Sequence, residues 1–132
     1  SPVRTRTPTY YLDFKVNKGS KMTQALPVGW NAFVYVLAGR GLFGPHDDGR
    51  ESEAHYTLVL SDGDKLEVEN KGSETLHFVL LAGEPVGEPV VQYGPFVMTT
   101  RGEIEEAIDD FRSGKNGFEN ALNWKSKTGN NV

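Results

Sequence analysis

The sequence predicts a mainly-β domain, a barrel or sandwich of short strands carrying a helical extension at its C-terminal end. Three observations support that reading. Short runs with apolar residues at every second position recur between residues 9 and 93, and period two marks a half-buried strand. Fifteen glycines and seven prolines separate these runs with turn chemistry. A stretch with helical periodicity follows the strands, at Glu103–Arg112. A chain of 132 residues makes one domain. The reading places its barrel over about residues 8–98 and its helical tail over about 99–132.

Taken in order, Thr9–Val16 carries Tyr10, Leu12, Phe14 and Val16 on one side, and Asn17–Ser20 turns the chain. Pro27–Gly29 precedes Trp30–Leu37, whose aromatic and β-branched side chains predict a central strand. Gly39 and Gly41 end it. Tyr56–Leu60 reads as the next strand and Ser61–Asp64 as a tight turn. Lys65–Glu69 alternates cleanly, with Leu66 and Val68 facing inward. His77–Ala82 is apolar enough to be covered on both faces, and Glu88–Tyr93 reads as an edge strand closed by Gly94-Pro95. In the helical stretch, Thr100 and Glu103 have the spacing of a capping box. Ile104, Ala107, Ile108 and Phe111 form one apolar stripe, expected to dock on a barrel face. Gly114 is the expected stop, and Phe118–Trp124 reads as a short helix or an ordered tail.

Composition excludes several function classes. Eighteen acidic residues against fourteen basic ones leave a formal charge of −4, and the basic residues are not clustered. A phosphate-binding surface needs the opposite pattern. The absence of cysteine removes disulfides, thiolate zinc sites and cysteine catalysis. No apolar run is long enough for a membrane helix. The chain opens at Ser1 without a methionine, and the expectation is a longer parent.

Three stretches invite functional readings. Gly39-Arg-Gly-Leu-Phe-Gly44 matches the spacing of a dinucleotide fingerprint, but Pro45 and Asp47-Asp48-Gly49 follow where a helix would have to start. A glycine-rich hairpin is the expectation there. His46–His55 packs two histidines and four carboxylates into ten residues, yet lacks calcium-loop spacing and reads as a solvated loop. His77 opens an apolar strand without a second ligand type nearby, and is expected to be hydrogen-bonded inside the barrel or near its mouth.

Gly63-Asp-Lys-Leu-Glu-Val68, followed by His77, resembles the second cupin motif, which ends in a metal-binding histidine. The first cupin motif is also framed by this sequence: Gly19, then Ala25, Pro27 and Ala32 in the ligand slots, then Gly39. With the shorter spacing the glutamate slot falls on Asn31. A closer resemblance is to the pirins, which are similar to two cupin barrels joined in one chain. Its specific part is Ala82–Pro89, Gln92–Met98 and Glu103–Gly114, with Thr5–Thr9, Tyr11–Phe14 and Phe118–Lys127 also similar to the second pirin domain. The resemblance implies a cupin-type jelly roll. It also implies iron in an N-terminal barrel of the parent, held by three histidines and a glutamate. In this chain only His77 occupies a matching slot, and Val79 stands at the position of that glutamate. Alanine and proline side chains have no lone pair to offer, so the expectation is no catalytic, cofactor-binding or metal-binding residue in this chain.

The resemblance implies two functions for the parent. One is a nuclear and cytoplasmic protein that modulates transcription through protein contacts with transcription factors, this half packing on the N-terminal cupin without binding DNA. The other is an iron-dependent, quercetinase-like dioxygenase whose active site this half shapes. A third reading, from the residues alone, is a free-standing barrel holding a small apolar ligand on Trp30, Phe33 and Tyr35, which are more simply core.

Overall fold

The computed structural model describes residues 4–45 and 47–129. Among the described residues, ten strands, one helix and a short 3-10 turn follow in order. The strands are β1 (Thr9–Val16), β2 (Lys21–Ala25), β3 (Asn31–Ala38), β4 (Arg40–Phe43) and β5 (Arg50–Glu53). Then come β6 (Thr57–Val59), β7 (Lys65–Glu69), β8 (Leu76–Gly83), β9 (Val91–Tyr93) and β10 (Phe96–Met98). Helix α1 (Arg101–Ser113) and the 3-10 turn at Ala121–Asn123 complete the chain.

The chain divides into two compact units, Ser1–Val86 and Gly87–Val132. In the first, two four-stranded sheets, β1-β8-β3-β6 and β2-β7-β4-β5, share one core. This is the predicted mainly-β cupin sandwich. The alternation read from the sequence sets the inward faces. Val16, Val34, Val36, Leu66, Val68, Leu76, Phe78 and Leu80 are buried, with Phe43 beside them. Phe78 stacks on Phe14 at 5.2 Å and meets Phe43 edge-on at 5.2 Å, so both sheets close on one ring. Asn70 is a buried polar residue in this unit. Its amide donates to Val16 O at 2.9 Å and Glu74 O at 2.7 Å, while its Oδ1 accepts from Gly72 N at 3.0 Å.

The sequence reading places the end of the barrel near residue 98, but the β9–β10 hairpin clusters with the helix instead. Within this second unit α1 contacts β9, β10 and the 3-10 turn. The apolar stripe expected to meet a barrel face therefore packs, in this unit, on a hairpin. Ile104 and Ala107 are buried, Ile108 and Phe111 half-buried. Phe96, Phe111 and Phe118 form a mutually edge-on trio, with centroids 5.6–6.2 Å apart.

Both helix ends follow the sequence. Thr100 Oγ1 accepts from Glu103 N at 3.2 Å, and Glu103 Oε2 accepts in return from Thr100 N at 2.9 Å. Gly114 closes the helix at φ 65°, a left-handed conformation that costs glycine little.

Candidate functional site

The cupin resemblance directs attention to the sandwich interior, and the geometry there is apolar. In β8 the side chains of Leu76, Phe78 and Leu80 enter the core, so His77, Val79 and Leu81 lie on the opposite face of the sheet. Of the expected placements, the barrel interior is thus excluded, while the expected hydrogen bond is present. Its Nε2 lies 2.8 Å from Asp13 Oδ1 on the neighbouring strand β1, where His77 is paired in register with Lys15. Strand alternation is the physical reason: a residue flanked by two core side chains must point away from that core.

The frame of the first cupin motif does not converge either. Ala25 is exposed at the end of β2, Pro27 lies in the following turn, and Ala32 packs against the core. Asn31 is exposed. Val79 is buried on the same outward face as His77. Among the described residues, no three His, Cys, Asp or Glu side chains are grouped to hold a metal ion. Iron wants imidazole or carboxylate donors, and the interior supplies valine, leucine and phenylalanine. These residues do not fit it.

The remaining motif residues have separate partners. Gly39 has φ 79°, and a Cβ there would sit 2.6 Å from Thr75 O; at Gly41 a Cβ would strike Leu76. Gly39 and Gly41 thus allow a close approach to Thr75 and Leu76, Gly44 faces Gly49, and strand β5 follows them. The second half of the acidic stretch after them contains strand β5. Its Glu53 and Glu51 flank Arg40, at 2.9 and 3.5 Å. The hydrogen bond to Glu53, then the charge of Glu51, push the Arg40 guanidinium further above its ordinary value. His55 is exposed at φ 73°, and its Nδ1 makes a long contact of 3.4 Å with Tyr35 Oη. His46 lies outside the described residues.

The aromatic run is divided among different surroundings. Trp30 packs on Tyr10, with centroids 5.1 Å apart, and Tyr35 reaches His55. Phe33 lines a shallow groove of about 630 Å³ on the outward face of the β1-β8-β3-β6 sheet. Val59, Leu81 and Pro85-Val86 line it with Phe33. Phe33, Val59 and Val86 are exposed there. The groove was not legible as a site in the sequence, because its residues come from four strands and a loop. Thr9, Asn31, Thr57 and Glu84 are the polar members of this lining.

Residues 11–117 match the family model of the pirin C-terminal cupin domain. The chain is 55% identical to human pirin over 130 residues, covering 98% of this chain and 45% of that protein. It is 53% identical over 127 residues to a pirin-like protein of Solanum lycopersicum, covering 96% of this chain and 43% of that one. Among solved structures, a quercetin 2,3-dioxygenase from Acinetobacter baumannii superposes with a TM-score of 0.71 at 36% identity. That match covers 87% of this chain and 38% of the dioxygenase. The chain spans less than half the length of these relatives. Matched along most of its length to the second barrel of that architecture, the chain belongs to the pirin family as its C-terminal cupin domain.

Proposed function

We propose that this chain is a non-catalytic, metal-free cupin that packs on an N-terminal, iron-binding cupin of the same parent and supports protein contacts of a transcription cofactor. The observation that carries the reading is the apolar outward face at Phe33, Leu81 and Val59. An exposed apolar groove flanked by polar residues is what a covered surface leaves when its cover is removed. More than half the length of each pirin relative has no counterpart in this chain, which supplies a cover of the right size and origin. Ala25, Pro27 and Ala32 in the ligand frame support the metal-free assignment. In this reading the parent works in the nucleus and cytoplasm, and transcription factors are its further partners.

A second reading is favoured by the solved dioxygenase at 36% identity. The full parent is then an iron-dependent, quercetinase-like enzyme, and this half is structural.

One experiment separates these outcomes. The full-length parent, its N-terminal half and this chain are purified without a polyhistidine tag, dialysed against iron and zinc, and assayed for metal and flavonol turnover. Metal in the N-terminal half alone, with co-elution of the two halves that Val59→Arg abolishes, is the expected result. Turnover by the full-length protein but not by this chain selects the enzyme reading for the parent. Near-stoichiometric metal in this chain that disappears in His77→Ala overturns the metal-free assignment.

A further inference from the structure

In the second unit a tight turn follows α1. Lys115–Phe118 closes with Phe118 N donating to Lys115 O at 3.0 Å. Both central residues have positive φ, 50° at Asn116 and 100° at Gly117. That is a primed tight turn, and Asn-Gly is the pair such turns prefer. The turn has two anchors. Asn116 Nδ2 donates to Asp110 Oδ2 at 2.9 Å, tying it to the last turn of α1. Phe118 packs its ring against Phe96 and Phe111.

This is also the one Asn-Gly pair in the sequence. Asn116 and Gly117 are both exposed, and nothing lies within 4 Å of the position a Gly117 Cβ would take. Gly117 N–H donates to Glu119 Oε1 at 3.3 Å, so a basic oxygen faces the proton that must leave before this nitrogen becomes a nucleophile. Asparagine is a thermolabile residue, and a following glycine removes the steric barrier to ring closure.

We propose that Asn116 is a site of spontaneous deamidation that releases the C-terminal tail from α1. Gly117 N bonds to Asn116 Cγ, the Cγ–Nδ2 bond breaks, and ammonia departs with the former Gly117 amide proton. Water then opens the succinimide. Cleavage of the ring bond to Cγ gives aspartate. Cleavage at the backbone carbonyl gives isoaspartate, whose main chain contains one extra methylene. Either product replaces an amide donor with a carboxylate facing Asp110. Two like charges then meet at the C-terminal end of a helix, where the dipole already disfavours negative charge. The extra methylene of isoaspartate also breaks the register of the tight turn that holds Phe118 in place.

The test is to age the whole chain in mildly alkaline buffer while following peptide masses, enzymatic methylation of isoaspartate and backbone hydrogen exchange. Conversion at Asn116 ahead of Asn17, Asn31 and Asn70 is expected, with loss of protection at Lys115 N and Phe118 N. The first turn of α1 keeps its protection. Asn116→Gln, which keeps an amide but closes a larger and slower ring, stays unmodified. Asn116→Asp shows the loosening in fresh protein without the methylene. Asn116 surviving while other asparagines react overturns the proposal. So does complete conversion with unchanged exchange at Phe118, and so does a fresh Asn116→Asp chain whose protection equals that of the parent.

Discussion

Replacing Asn70 tests whether a single buried amide holds the two sheets' connecting segments together. The residue is wholly buried and makes three side-chain hydrogen bonds. Its Nδ2 satisfies Val16 O at the end of β1 and Glu74 O in the loop entering β8, while Oδ1 satisfies Gly72 N. Its backbone is equally engaged, donating to Ser20 O and accepting from Gly19 N, both at 2.9 Å. Asn70→Ala removes three bonds at about 1 kcal/mol each and strands a buried carbonyl, so a loss of about 3–4 kcal/mol is expected. Against a typical domain stability of about 5–15 kcal/mol that is a large fraction. Asn70→Asp is the sharper test, because it keeps the shape and the acceptor for Gly72 N. A carboxylate cannot donate to the two carbonyls and would bring a buried charge against them, so Asp should cost at least as much as Ala. Urea unfolding with unchanged m-value measures both losses. An Asp variant within about 1 kcal/mol of the parent would refute the argument, since hydrogen-bond donation could then contribute little.

Ile104 is buried in α1, so Ile104→Ala should cost about 2–4 kcal/mol by thermal or urea unfolding. The half-buried Ile108 should cost less on the same substitution. Hydrogen bonds from Thr99 and Thr100 hold the Glu103 carboxyl below its ordinary value of 4.5. A depressed folded value means that the contribution is complete above about pH 4.5 and fades as pH falls through the lower folded value. Glu103→Gln should therefore flatten the acid limb of helix melting followed by circular dichroism, and an unaltered limb would exclude this carboxylate. With a net charge of −4, titration with duplex DNA near physiological salt should show at most weak association that salt abolishes. Tight binding that survives added salt would contradict it.

Sequence alone is most informative where one local rule acts unopposed. The bounds of β1 and β7 coincide with Thr9–Val16 and Lys65–Glu69, because every second residue there is apolar or aromatic. Thr100 and Glu103 fix the helix start through their own reciprocal bonds. Strand β2 escapes such reading, since Lys21–Ala25 offers Met22 and then the polar Gln24 on its inward side. Arg50–Glu53 contains no apolar residue at all and reads as loop. It is a strand because β4 lies beside it, with Arg40 facing Glu53 across the pair. Long-range pairing of this kind has no local signature.

His77 shows how a motif can outweigh a period. Matching it to the second cupin motif places an imidazole in the interior or near its mouth, whereas the alternation of Leu76, Phe78 and Leu80 already turns it away from the core. Its partner Asp13 lies 64 residues away and becomes visible only once β1 and β8 are paired. The same strand shows why the outward face matters. Residues 76–82 are apolar at nearly every position, the pattern of a strand covered on both sides. The second sheet covers one side completely. On the other, Val79 is buried among its neighbours, but Leu81 is only half-buried and opens onto the groove beside Phe33 and Val59. A strand apolar on both faces but covered fully on only one has the residue pattern of a surface meant to meet another protein layer. That is the physical basis for the proposal that this face, and not the interior, meets the N-terminal cupin.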